Sequence, residues 1–166
     1  SPNNPTGTWV GLREIEELLL AVPKSVWVVI DEAYFEYIDH PQYGSALCLM
    51  ERFENLIITR TFSKIYGLAS LRLGYGVTSS RFADLLNRAR QPFNVGGLTL
   101  AAGVAALSDE EFVIESRQKN EEGLRQLERG LDELGLPWIP SGGNFLAVDC
   151  DRDGQEVFRQ LLKEGV

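Results

Sequence analysis

The sequence predicts an α/β fold with a mainly parallel sheet flanked by helices. Short β-branched runs alternate with segments of helical period, the pattern of strands joined by crossover helices. The most apolar run, Val26 to Ile30, is continuous rather than alternating, as in a strand covered on both faces. It breaks off abruptly at Asp31-Glu32, and a second such run breaks off at a polar loop carrying Lys64.

The elements follow in order. Trp9 to Ala21 has helical spacing, with Leu12, Ile15, Leu18 and Leu19 on one face and Pro23 as the stop. Val26 to Ile30 and Asn55 to Arg60 are strands, and Leu71 to Val77 is a third, interrupted by Gly74 and Gly76. Ser80 to Arg90 and Leu98 to Leu107 are helices, with Gly96-Gly97 as a hinge or helix start rather than a phosphate loop. Ser108-Asp109-Glu110-Glu111 signals a new helix through a Ser cap and first-turn acids. That helix runs to about Leu134 and stops at Gly135. Phe145 to Val148 is a short strand and Asp153 to Lys163 a final helix. Residues 1–107 are expected to form one unit. Residues 108–166 are expected to supply a long linking helix and the start of a smaller α+β unit. The opening on a loop and the stop after a helical pattern suggest a segment of a longer protein.

Composition bounds the function. At 166 residues, 44% hydrophobic and 24% charged, the chain is ordinary for a globular protein with a core. No apolar run approaches the roughly 20 residues of a membrane span, and no signal peptide is visible. The formal net charge of -8 argues against nonspecific nucleic-acid binding, which relies on Lys and Arg to neutralise phosphates. Cys48 and Cys150 lie far apart without metal-type spacing, as expected of reduced, partly buried thiols in a cytoplasmic protein. His40 is the only histidine, so neither a His-based triad nor a His-rich metal site is available.

In open α/β sheets, ligands bind beyond the carboxyl ends of the strands. Asp31 follows one strand there, and Thr61, Ser63 and Lys64 follow the next. Taken singly, Asp31 reads as a cap or turn former and Lys64 as a solvated side chain. Together, on neighbouring loops, they are harder to explain as surface.

Three pieces in this order make the sequence recognisable: Asn4-Pro5-Thr6-Gly7, Asp31-Glu32-Ala33-Tyr34, and Thr61-Phe62-Ser63-Lys64 with Gly67 to Tyr75. They resemble the fold-type-I pyridoxal-phosphate (PLP) aminotransferases, most closely the histidinol-phosphate aminotransferases. Pro92-Phe93-Asn94-Val95 and Gly143-Asn144-Phe145 also look like that group, so the resemblance covers essentially the whole chain. It implies that the units above belong to a PLP-transferase large domain and the start of its small domain.

The resemblance also implies roles. Lys64 holds the cofactor as a Schiff base and, when displaced, serves as the general base. Asp31 pairs with the pyridine nitrogen and keeps the ring an electron sink. Asn4 and Tyr34 hydrogen-bond the phenolic oxygen. Thr61, Ser63 and Arg72 hold the phosphate, where a guanidinium can grip two oxygens. Asn144 approaches the substrate side, or merely caps a loop. Arg90 and Asn94 line the site or a subunit contact, or simply end a helix. The partners implied are a small-molecule amino donor and a 2-oxo acid, and the family forms homodimers.

Three further readings stay open. One keeps the cofactor but changes the reaction, as in a threonine-phosphate decarboxylase or an aromatic aminotransferase. Another is a noncatalytic PLP-binding effector domain. The last is a purely structural α/β domain, which the joint presence of Asn4, Asp31, Tyr34, Lys64 and Arg72 disfavours. The family's phosphate-cradling backbone loop, ring-stacking aromatic and substrate-binding arginine are not found within residues 1–166. The segment alone is therefore expected to be inactive or nearly so, with apolar surface and a sheet edge exposed.

Overall fold

The computed structural model describes residues 1–166. Helix α1 (Leu12–Ala21) precedes β1 (Val28–Asp31), and two short 3-10 turns lead to β2 (Leu56–Thr61). A further 3-10 turn leads to β3 (Gly74–Thr78), followed by α2 (Ser80–Ala89) and α3 (Gly97–Leu107). Helix α4 (Glu110–Leu134) leads to β4 (Trp138–Ile139), β5 (Ala147–Val148) and α5 (Gly154–Lys163). Strand order in the main sheet is β1-β2-β3, and β4 and β5 form a separate antiparallel pair.

β1 and β2 are parallel, in the register Val28↔Leu56 to Asp31↔Thr59. β3 runs antiparallel to β2, with Thr61 opposite Gly74 and Ile57 opposite Thr78. The antiparallel return has a simple cause. Residues 62–73 contain only one 3-10 turn, Ala69–Leu71, and no crossover helix to carry the chain back to the far end of the sheet.

The core lies on one face of this sheet. Ile15 and Leu19 of α1 pack with Ala46, Leu49, Leu56 and Ile58, and Val28 and Ile30 close against them. The alternation along β1 decides which residues join: Val28 and Ile30 face α1, while Val29 points away and is 56% exposed. β1 is therefore covered on one face only, contrary to its continuous apolar sequence. Leu18 likewise leaves the expected helix face and is exposed, while Ile15 and Leu19 are buried and Leu12 packs against the same cluster.

The helices start and stop for local reasons. Asp109, rather than Ser108, caps α4: its side chain accepts from the Phe112 backbone N–H. Ser108 is already used at the end of α3, where its hydroxyl donates to the Val104 carbonyl. Gly135 ends α4 in the left-handed conformation, and Asp153 caps α5 through the Glu156 N–H. The Phe145–Val148 strand shortens to Ala147–Val148, and its partner Trp138–Ile139 has too few residues between Pro137 and Pro140 to show a period. Cys48 and Cys150 are both free, but Cys48 is exposed rather than partly buried.

Ile58 is fully buried and Val29 is not. Ile58→Ala should cost about 2–5 kcal/mol, whereas Val29→Ala should cost less than about 1 kcal/mol. Urea denaturation of the two variants beside wild type checks the contrast, and equal losses would place the core on the wrong face.

Candidate active site

The parallel register sends the carboxyl ends of β1 and β2 to the same edge, and three loops meet there. The first loop, residues 1–11, is held by the Tyr43 hydroxyl, which donates to the Ser1 carbonyl at 2.8 Å, and by Gly142 N–H to the Gly7 carbonyl at 2.8 Å. The second follows β1. The third, residues 62–73, is anchored by Phe62, Ile65 and Leu73, all buried, with Phe62 and Leu73 against Gly103 of α3. It turns at Gly67, whose φ of 69° favours glycine, with its N–H on the Lys64 carbonyl. Gly74, where the loop re-enters the sheet, has no room for a side chain: a Cβ would sit 2.8 Å from the Arg60 carbonyl oxygen.

Asp31, Thr61, Ser63, Lys64 and Arg72 line one cavity of about 450 Å³, together with Thr59 and Arg60. Asp31 also lines the adjoining hollow of about 370 Å³, with Asn4 and Tyr34. The Asp31 Oδ1 accepts from the Ala33 N–H at 3.0 Å, so this residue does form the turn that its lone position suggested, and Oδ2 is left over. Tyr34 is buried, as a core aromatic would be, yet its hydroxyl accepts from Asn4 Nδ2 at 2.8 Å. Lys64 Nζ lies 5.0 Å from the centre of the Tyr34 ring. Thr61 Oγ1 accepts from the Ser63 N–H at 3.0 Å.

Arg72 reaches the cavity from a left-handed backbone, φ 51° and ψ 46°. That conformation costs a non-glycine residue about 1–2 kcal/mol. It follows directly from the tight 3-10 turn before it, and the guanidinium is steadied by Nη1 donating to the Ala69 carbonyl at 2.9 Å.

Two expected residues stay apart. Asn94 sits on an exposed loop and accepts from Arg90 Nη1 at 2.8 Å, and it lines neither cavity. Its side chain serves the end of α2. Asn144 is exposed and lines neither cavity, although its neighbour Phe145 packs edge-on against Tyr34 with ring centres 5.4 Å apart.

Sequence reasoning missed what lies beneath the cavity. The Glu32 carboxylate is 2% exposed and accepts from Arg60 Nη2 at 2.7 Å, Arg60 Nε at 3.0 Å and the Ala46 N–H at 2.8 Å. The Ser45 hydroxyl donates to it as well. Arg60 stacks over Phe35 at 4.2 Å and approaches Glu36, whose carboxylate accepts from the Tyr66 hydroxyl. Burial works against the Arg60 charge, but the hydrogen bond and charge of Glu32 outweigh it and leave Arg60 above its ordinary value. Burial lifts Tyr66 to about 12, with help from Glu36. Glu32 and Arg60 could have been suspected, since each adjoins a site segment.

One cavity thus presents a carboxylate, a primary amine, a guanidinium and hydroxyls. Such a set can accept from a protonated ring nitrogen, form a covalent bond to a carbonyl carbon and hold a phosphate dianion. The chain belongs to the aminotransferase class I and II family, whose model matches residues 1–166. It is 54% identical over 166 residues to histidinol-phosphate aminotransferase 2 of Pseudomonas fluorescens, covering 100% of this chain and 45% of that protein. With the histidinol-phosphate aminotransferase of Brevibacillus brevis the identity is 48% over 166 residues, covering 100% and 46%. A solved histidinol-phosphate aminotransferase from Sinorhizobium meliloti, in complex with pyridoxal-5'-phosphate, superposes with a TM-score of 0.86 at 33% identity, covering 93% of this chain and 42% of that one. The chain spans about half the length of the curated relatives it matches. The expected fold class and family are borne out.

Glu36 offers a pH test. Burial raises its carboxyl above the ordinary 4.5, so the folded state binds this proton more tightly than the unfolded chain does. The stability contributed by Glu36 should therefore fall as pH rises from about 4.5 through the raised value. Glu36→Gln should lack that slope. Urea midpoints of both proteins between about pH 4 and pH 8 should converge toward acid and separate toward neutral pH, with the variant gaining relative to wild type. A gap that widens toward acid would refute the assignment.

Proposed function

We propose that this chain is the cofactor-holding part of an aminotransferase that uses pyridoxal 5'-phosphate and exchanges an amino group between histidinol phosphate and 2-oxoglutarate, a reaction of histidine biosynthesis. The observation that carries the proposal is the convergence of Asp31, Lys64 and Arg72 on one cavity, beside the bonded pair Asn4–Tyr34. The histidinol-phosphate aminotransferases among its relatives supply the substrate.

The residues present fit the cofactor. Asp31 Oδ2 is free to accept from a ring N–H, and Arg72 engages the protein through Nη1 alone, leaving further N–H groups for a phosphate. Bound pyridoxal phosphate supplies an electron sink for the bonds around the donor's Cα. Asp31 would accept from the ring N–H and keep that nitrogen protonated. Arg72 with the Thr61 and Ser63 hydroxyls orients the phosphate. The bonded Asn4 amide and Tyr34 hydroxyl would hydrogen-bond the ring's phenolic oxygen. Lys64 Nζ would hold the cofactor and, when free, would move the proton from the donor's Cα.

Two structural assignments belong to the same proposal. Residues 1–107 form part of the large domain and residues 108–166 the linking helix and the start of the small one. The 25-residue α4 and the separate β4–β5 pair support that division. The protein works as a cytoplasmic homodimer. The two free thiols support the location, and the exposed apolar side chains of α3, Leu98 at 89% and Val104 at 68%, support a covered interface. No helix is long and apolar enough to cross a membrane.

The whole protein that carries this chain, incubated with pyridoxal phosphate and reduced with borohydride, should yield a phosphopyridoxyl group on Lys64 by peptide mass mapping. Label on another residue, or none, would refute the assignment. Lys64→Ala should lower kcat by at least about 10²–10⁴-fold. Offered histidinol phosphate, threonine phosphate and aromatic amino acids as donors, the protein should turn over the first fastest. Release of carbon dioxide from threonine phosphate at a higher rate would reassign it to a decarboxylase of the same family.

A further inference from the structure

The buried ion pair beneath the cavity has no part in the chemistry above. Glu32 directly follows Asp31, and Arg60 precedes the Thr61-Phe62-Ser63-Lys64 run. The backbone ladder joining β1 to β2 ends with the Glu32 N–H on the Thr59 carbonyl at 2.9 Å. Past that bond the loops bearing Asp31's neighbours and Lys64 leave the sheet separately. The Glu32–Arg60 contact is the side-chain bridge across that fork, with both Arg60 Nε and Nη2 donating to Glu32 Oε2.

We propose that Glu32 and Arg60 are positioning residues, whose ion pair fixes Asp31 and Lys64 relative to each other so that both act on one cofactor. The proposal rests on the roles assigned above to Asp31 and Lys64. Stability alone accounts poorly for the pair. Removing two charges from water offsets much of their attraction, and apolar residues of similar size often serve a core as well or better. Geometry accounts for it directly. Glu32 is held from three sides, by Arg60, the Ser45 hydroxyl and the Ala46 N–H. Arg60 is in turn sandwiched between Glu32 and the Phe35 ring, and it borders the same cavity as Asp31 and Lys64. A shift in either partner is transmitted through one peptide unit to Asp31 and through one short loop to Lys64. Functional groups so placed lose rate and affinity steeply when misplaced by as little as about 1 Å.

The test uses the whole protein as wild type, Glu32→Gln, Arg60→Lys and, as a control for lost stability, Ile58→Ala. Glu32→Gln keeps the shape and removes the charge, and Arg60→Lys keeps the charge and removes the two-nitrogen grip. Two quantities are read: the dissociation constant for pyridoxal phosphate and the pH midpoint of the bound cofactor's absorbance. Both pair variants should retain the wild-type near-ultraviolet circular dichroism and bind the cofactor roughly tenfold more weakly. Glu32→Gln should also lower the absorbance midpoint by about half a unit, because Arg60, left with Glu36 alone, is less neutralised and disfavours a nearby proton. Ile58→Ala should lose stability and keep both quantities. Unchanged values in both pair variants, or the same changes in Ile58→Ala, would overturn the positioning role. If wild type is labelled on Lys64 and the pair variants still match it, that role alone falls. If wild type takes up no cofactor on Lys64, the functional proposal falls with it.

Discussion

Parallel pairing of β1 with β2, in the register Asp31↔Thr59, brings the carboxyl ends of two strands to the same edge of the sheet. Antiparallel pairing would have sent Asp31 and Lys64 to opposite ends. The pairing is secured from below by one apolar layer, in which Leu56 and Ile58 of β2 pack against Ile15 and Leu19 of α1. A strand buried through that face cannot slip by one residue without turning its apolar side chains outward. The register, and with it the edge of the sheet at which both loops emerge, is therefore fixed by burial.

On that platform the loops are shaped by backbone constraints more than by attraction between the site residues. Gly67 turns the 62–73 loop, Phe62, Ile65 and Leu73 anchor it, and the 3-10 turn ahead of Arg72 delivers that residue in a left-handed conformation. The cost of holding a non-glycine residue there is tolerable because Leu73 and Gly74 immediately re-enter the folded layer. Beneath these loops, Glu32 and Arg60 convert the strand ends into a cross-linked base. The cavity above is polar and rests on this charged base, while the apolar layer of Ile15, Leu19, Leu56 and Ile58 secures the strands themselves.

Legibility in the sequence followed length and period. The 25 residues of α4 and the β-branched runs of β1 and β2 were plain, because each repeats its pattern several times. The Trp138–Ile139 strand was invisible, since two residues between prolines define no period. Continuous apolarity from Val26 to Ile30 implied two covered faces, yet on the side away from α1 Trp27 meets only Phe82 and Val29 stays exposed. Hydrophobicity says that a residue can be buried, not that something within the chain covers it. Likewise Ser108 and Asp109 are both good caps, and the choice went to Asp109 because α3 had already claimed Ser108.

The amino-acid sequence by itself determined the chemical inventory: the Asn4, Asp31–Tyr34 and Thr61–Arg72 segments, their order, and an α/β frame with ligands at strand ends. Those follow from residue identity and local periodicity, which need no distant partner. Only the tertiary structure decided which members meet. It gathered Asp31, Lys64 and Arg72 on one cavity, joined Asn4 to Tyr34, and left Asn94 with Arg90 on an exposed loop. It also decided that Glu32 and Arg60 are a buried pair rather than two surface charges. The reason is the same throughout. A contact between residues about 30 positions apart depends on strand register and on which face is buried, and both are set by packing of the whole layer.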